Sequence, residues 1–204
     1  MTKDKKADLR ILTTEFRVSH PHVFKAYAFK EGDKPAYSIE MLFDKKTTKL
    51  DEFKKRLTTA AIGKWGEDKS QWPELVFPMR DGDKPKRNTK TKVMEIKKEH
   101  AGMWVVKASS SGEFSRPHVA SQNPEVPLQT EAELYPGCYA RAYLTAHAYE
   151  FADKTGVKFL LDGVQFLRDG EPFGNKKSAT DMFGSVDEAE DAGLTADTDD
   201  NSFL

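Results

Sequence analysis

Residues 137–149 alternate two chemistries with a period of two, which predicts a β-strand with unlike faces. Ala140, Ala142, Leu144, Ala146 and Ala148 fall on one side; Tyr139, Arg141, Tyr143, Thr145, His147 and Tyr149 fall on the other. The small side suits a crowded interior. The other side fits a surface where rings stack on bases and a guanidinium meets phosphate. It equally fits a sheet packed under a helix through its tyrosines.

Other segments predict a sheet around this strand. Residues 8–18 alternate loosely through Leu9, Ile11 and Phe16, and Ser19-His20-Pro21-His22 interrupts them. After the turn signal Gly32-Asp33-Lys34-Pro35, residues 36–43 set Tyr37, Ile39, Met41 and Phe43 against mostly polar neighbours, as a strand does. From Thr47 the period becomes helical, with Leu50, Phe53, Leu57 and Ala60 or Ala61 on one face. Thr48 is the expected cap, with Asp51 three residues on, Gly63 and Gly66 the expected stop, and Lys54, Lys55 and Arg56 a solvated outer face.

Trp72-Pro73 and Phe77-Pro78 bracket an extended piece leading to the turn Asp81-Gly82-Asp83. Residues 103–109 read as a strand, with Trp104, Val106 and Ala108 opposite Met103, Val105, Lys107 and Ser109. A Ser/Gly/Pro-rich loop is expected over 110–127. Finally, a turn at 153–156 leads into a strand over 157–167 that pairs as a hairpin with residues 137–149, and Gly163 marks a bulge. Five strands, one helix between early strands and no strand-helix alternation predict a mainly β fold, a small antiparallel barrel of OB type. The expected division is a domain over 1–184 and a disordered acidic tail over 185–204, which lacks the apolar content to fold.

Composition narrows the class. With 38% hydrophobic, 32% charged and 11% aromatic residues, 13 of them Phe, aromatics must fill the core or form the working surface. The charged start and the lack of a long apolar run predict no secretory signal, no membrane partner and a cytoplasmic protein. The single cysteine, Cys138, excludes an intrachain disulfide and is expected as a small buried residue. A net charge of -1 hides an asymmetry. Residues 181–204 hold eight carboxylates and no Lys or Arg, leaving 32 basic and 25 acidic residues before them, a net of +7. A basic body with an acidic tail is the shape of a protein that binds a polyanion and imitates one.

Enzymatic signatures are absent: neither a phosphate-cradling G-x-x-x-x-G-K-[ST] nor a G-x-S-x-G occurs. Pro21 separates His20 from His22 and no third ligand is near, so a loop pair is expected before a metal site. Asp81 and Asp83 would suit a metal-dependent nuclease, but Gly82 between them favours a turn. No catalytic residue, metal or cofactor is expected. Nucleic-acid binding draws on several segments. Residues 84–92 carry five cations and no acid; Lys86, Arg87, Lys90 and Lys92 among them, with Lys107, Arg116 and Arg141, would meet phosphates, and Trp104, Phe114, Tyr139, Tyr143 and Tyr149 would stack on bases. The competing readings are a solvated loop and a core tryptophan.

The ordered set Phe16-Arg17-Val18-Ser19, Tyr37-Ser38-Ile39, Asp81-Gly82-Asp83, Tyr135-Pro136-Gly137-Cys138-Tyr139, Thr155-Gly156-Val157 and residues 163–170 resembles the single-stranded DNA-binding proteins of tailed bacteriophages. The resemblance covers most of residues 8–184. It implies an OB-fold and non-catalytic coating and protection of single strands during phage replication, recombination or repair, in the host bacterial cytoplasm, with duplex DNA bound more weakly and a homodimer compatible. The end of the chain is similar to the acidic, aromatic-ended tails with which such proteins recruit a polymerase or helicase. Asp197, Asp199, Asp200, Phe203 and Leu204 would make that contact, and here Leu204 follows the aromatic. The rivals are the nuclease built on Asp81 and Asp83, and a phage structural protein with a solubilising tail.

Overall fold

The structure is a computed structural model that describes residues 9–28, 32, 34–88, 91–111, 116–151 and 154–174. Among these, ten strands and one α-helix follow one another. The strands are β1 (Arg10–Leu12), β2 (Phe16–Tyr27), β3 (Ala36–Asp44), β4 (Met79–Asp81), β5 (Lys86–Arg87), β6 (Met94–Glu95), β7 (Met103–Ser111), β8 (His118–Ala120), β9 (Tyr139–Phe151) and β10 (Lys154–Arg168), and the helix α1 (Asp51–Trp65) lies between β3 and β4.

Five long strands close on themselves in the order β9-β2-β3-β7-β10, with β10 returning to β9. That is the OB-like barrel the sequence predicts, with one departure. The seam between β7 and β10 is parallel, through Phe159 and Ala108, while the other four junctions are antiparallel. A side chain reinforces this seam. The buried Ser110 Oγ donates to the Leu161 carbonyl at 2.9 Å and accepts from the Leu161 amide at 3.1 Å.

The β9 alternation has the predicted meaning: Ala140, Ala142, Leu144 and Ala146 are buried. Their small side chains leave room for α1, which packs against β9, β10 and β1. Leu50, Phe53, Leu57, Ala60 and Ala61 of the helical stretch are buried as expected. Phe53 meets Phe43 at 5.2 Å and Phe159 at 5.7 Å, and Phe43 meets Phe16 at 5.4 Å, so an aromatic chain from β2 to β10 fills the barrel. The helix begins four residues after Thr47. Leu50 is its N-cap without a side-chain bond, so Thr48 does not cap it; Asp51 and Glu52 complement the helix dipole instead, and Gly66 closes the end at φ 85°.

Three further expectations change. Ser19-His20-Pro21-His22 does not end β2; the strand continues through a bulge in which Ser19 faces Glu40 and His22 faces Ser38, three steps on β2 against two on β3, with His20 at φ 46°. The expected loop over 110–127 contains β8, which lies parallel to β10 with Val119 opposite Val164. The hairpin strand starts at Lys154, earlier than predicted, while the bulge does fall at Gly163, where Leu161 faces Leu144 and Gly163 faces Tyr143. The turn at Asp81-Gly82-Asp83 needs its glycine for closeness: a Cβ there would lie 2.1 Å from the His100 carbonyl oxygen.

Candidate nucleic-acid interface

On β3 the inward set Ile39, Met41 and Phe43 is fully buried, so Ser38 and Glu40 belong to the outer side of the barrel wall. β7 places Lys107 opposite Glu40 and Ser109 opposite Ser38. From β2, the bulge brings His20 and His22 to the same side; His22 stacks on Tyr27, 4.8 Å between ring centres and 13° between planes, and Tyr27 is 49% exposed. Burial and then the Lys107 ammonium hold the His22 pKa below its usual value, against the attraction of Glu131. A neutral imidazole with a tyrosine beside it is a stacking surface.

The basic segment approaches this wall. β5 and β6 form a two-stranded ribbon pairing Lys86 with Glu95 and Arg87 with Met94. Lys86, Arg87 and Lys92 are exposed on it. Arg87 Nε donates to the Lys92 carbonyl at 3.2 Å, which keeps the two cations together. Lys86 Nζ lies 3.6 Å from Glu40. His100, just beyond the ribbon, is buried below it, and Arg80 Nη2 lies 2.6 Å from its Nδ1. Burial first, then Arg80, push the His100 pKa down to about 4, although Glu40 and Glu99 oppose this.

Arg80 also joins this wall to a groove of about 740 Å³ between α1 and β4, lined by Leu50, Lys54, Phe77, Lys84 and Trp104 among others. Trp104 is half-buried there with Lys45 Nζ 4.8 Å above its ring. Lys45 binds both carboxylates of the turn: Asp81, and Asp83 at 2.6 Å. The hydrogen bond from Lys45 is the main cause that depresses both carboxyl pKa values. An ammonium thus stands between the two acids that a nuclease would need for a metal.

The tyrosine face of β9 lies on the opposite side of the ring, since β3 is two strands from β9 one way round and two from β10 the other. Tyr139, Arg141 and Tyr149 on it are engaged internally. The Arg168 guanidinium lies 3.5 Å from the centre of the Tyr139 ring, and Arg17 lies 5.5 Å from it. Arg141 Nε donates to Gln165 Oε1 at 2.8 Å, and Gln165 Nε2 donates to the carbonyls of Ser121 and Gln122. Tyr149 lies across Gly156, its hydroxyl 2.9 Å from where a Cβ would stand. Tyr143 alone of the four is exposed, 42%, opposite Leu12 and Gly163.

Of the sequence-predicted residues, the structure therefore brings Lys86, Arg87, Lys92 and Lys107 to the β2-β3-β7 side and Tyr139, Arg141, Tyr143 and Tyr149 to the other. Trp104 lines the groove, and Arg116 is exposed ahead of β8. Lys90, Phe114, Asp197, Asp199, Asp200, Phe203 and Leu204 lie outside the described residues. Cys138 is buried, and burial raises its thiol pKa to about 11. Sequence reasoning missed His22, Tyr27, Glu40, Arg80 and His100. The one signal for the first two is a change of apolar parity, from Phe16 and Val18 to Val23, which a bulge produces. Among the described residues no group of His, Cys, Asp or Glu could hold a metal, and no helix is long and apolar enough to cross a membrane.

Comparison with known proteins places this geometry. A family model described as the ssDNA-binding protein of Enterobacter phage Enc34 matches residues 9–193. A protein of Acyrthosiphon pisum secondary endosymbiont phage 1, "Putative protein p50", is 28% identical over 197 residues, covering 92% of this chain and all of that one. Among solved structures, the single-stranded DNA-binding protein of bacteriophage Enc34 in complex with ssDNA superposes with a TM-score of 0.63 at 26% identity, over 85% of this chain and 97% of that one. The bacteriophage T7 single-stranded DNA-binding protein gp2.5 shares the fold, with a TM-score of 0.55 at 10% identity, over 87% of this chain and 99% of that one.

Proposed function

The chain belongs to the phage ssDNA-binding protein family typified by Enterobacter phage Enc34, and from that premise we propose that it binds and coats single-stranded DNA without catalysis during phage replication, recombination or repair. One observation carries the placement of the site: Lys86, Arg87, Lys92 and Lys107 share a barrel side with the stacked His22-Tyr27 pair. Cations that follow a backbone beside rings that accept any base are what sequence-tolerant strand binding requires. In this reading Tyr139 and Tyr149 stay outside the interface, because their rings pack on Arg168 and across Gly156.

Residues 185–204 act in this reading as an acidic tail with two tasks. Their carboxylates, tethered to a basic body, compete with DNA phosphates at high effective concentration. Phe203 and Leu204 give replication partners an apolar anchor. The nuclease reading loses support because Lys45 already pairs with Asp81 and Asp83.

Fluorescence anisotropy with labelled oligo-dT, duplex and RNA at two salt concentrations, followed by gel analysis of the same DNA after incubation with Mg²⁺, tests the proposal. Salt-sensitive binding with preference for the single strand, and an oligonucleotide of unchanged length, is expected. A shortened strand makes the protein a nuclease, and no binding at low salt leaves the structural-protein reading.

A further inference from the structure

Glu40 faces two cations and two imidazoles on the proposed interface, and its side chain is only 15% exposed. Its oxygens lie 3.6 Å from Lys86 Nζ, 3.6 Å from His20 Nδ1 and 3.9 Å from His100 Nε2. Each of these distances exceeds hydrogen-bond length, so the carboxylate bonds directly to none of the three groups. Despite burial, which acts the other way, Lys86, His20, His100 and Arg80 together hold its pKa below the usual value.

The flanking cations fix the proton positions of both imidazoles. A guanidinium can only donate, so Arg80 Nη2, 2.6 Å from His100 Nδ1, makes that nitrogen an acceptor and leaves the hydrogen on Nε2. Lys97 Nζ, 2.9 Å from His20 Nε2, likewise leaves a hydrogen on Nδ1, which reaches Ser19 Oγ at 2.7 Å and faces Glu40. His100 Nε2 is buried with no hydrogen-bond partner and points toward Glu40. A buried donor with no acceptor is unusual and calls for an explanation. A small, flat carboxylate falls short of the donors around it. A phosphodiester group, with more oxygens and a larger radius, would reach them.

We infer that Arg80, Lys86, His20 and His100 form a cradle for one backbone phosphate of a single strand, and that Glu40 is its built-in anion, which the phosphate displaces. The inference rests on the ssDNA-binding reading above. Glu40 keeps the cradle neutralised until a strand arrives, and so lowers affinity for isolated anions while the cations stay in place.

The test is oligo-dT affinity against salt for the wild type, Glu40→Gln, Lys86→Ala and the double variant. Glu40→Gln is expected to tighten binding about fivefold near 0.1 M salt and to steepen the salt dependence by about 0.7, the increment of one extra phosphate contact. Lys86→Ala is expected to cost about fivefold more in the Glu40→Gln background than in the wild type, a coupling that a double-mutant cycle isolates. Weaker or unchanged binding by Glu40→Gln, or equal cost of Lys86→Ala in both backgrounds, overturns the inference while leaving ssDNA binding intact. A wild type that ignores oligo-dT overturns the underlying reading instead. Should Glu40→Gln fail to fold, the imidazole NMR signals of His20 and His100 in the wild type, titrated with oligo-dT, decide: a joint shift supports the cradle, and unmoved signals at saturating strand overturn it.

Discussion

The outer wall of β9 and β10 and the outer wall of β2, β3 and β7 carry the same residue types and use them differently. On the first, Arg168 covers Tyr139, Gln165 takes up Arg141 and Tyr149 closes over Gly156. On the second, Lys86, Arg80 and two imidazoles from four segments gather around Glu40, and a buried imidazole nitrogen among the described residues has no hydrogen-bond partner. Aromatic and basic side chains mark a working surface where they stay exposed beside a donor that the fold leaves unsatisfied, as His100 Nε2 is. That distinction is invisible in an alternating strand and plain in a partner list.

The largest effect expected to separate the walls is electrostatic. Replacing Arg87, Lys92 and Lys107 together by Ala should flatten the slope of log affinity against log salt by about 2, at roughly 0.7 per phosphate contact, which is on the order of 100-fold near 0.1 M salt. Anisotropy titrations with oligo-dT read both numbers. A matching loss when Arg10, Arg141 and Lys158 are replaced on the other wall would erase the difference between them.

A second test sharpens the comparison through stability. The His100 pKa of about 4 in the folded protein lies below its ordinary 6.5, so between those values the unfolded chain binds more protons. The contribution is therefore present above pH 6.5 and is lost as pH falls toward 4, by roughly 1.5 kcal/mol between pH 6.5 and 5. His20, His22 and His147 are shifted downward too and act in the same sense. The groups that face His100 are Arg80 from β4, Glu40 from β3, and Lys97 and Glu99 from its own segment. Denaturant unfolding across this range should show the loss, and His100→Phe should flatten it. Equal steepness in the variant would mean that the imidazole takes up protons without cost.

Much of the barrel was legible. The small face of β9, the apolar stripe of α1 and the bulge at Gly163 each reflect a local rule, so period and residue size sufficed. Ser19-His20-Pro21-His22 misled, because a proline between polar residues reads as a break, while pairing with β3 carries the strand through. β8 has three residues and takes its strand character from β10, which no local pattern records. The interface was legible as chemistry and not as geometry. The basic run announced itself, but the Glu40 cluster assembles residues 20, 40, 80, 86, 97 and 100 from five segments, and a glutamate in an alternating strand reads as an ordinary solvent-facing position.

The smallest expected effect is the sharpest test of the comparison, because it concerns the one β9 ring that remains exposed. Tyr143 has Leu12 opposite it on one side and Gly163 on the other, and among the described residues no ring partner or hydrogen bond accounts for it. If exposure were enough to make a stacking platform, Tyr143→Ala would cost roughly 1 to 3 kcal/mol of single-strand binding, as such rings do where bases lie on them. On the wall it occupies, Arg141 and Arg168 are both held in hydrogen bonds to side chains. A strand lying there would lack the phosphate contacts that supply most of the affinity. Tyr143→Ala should therefore change oligo-dT binding by less than about 0.5 kcal/mol, the usual range for a surface substitution, while Tyr27→Ala costs at least about 1 kcal/mol and Tyr27→Phe little. The reverse ranking, with a loss at Tyr143 and none at Tyr27, would move the interface to the β9 wall and make the cations around Glu40 a structural cluster.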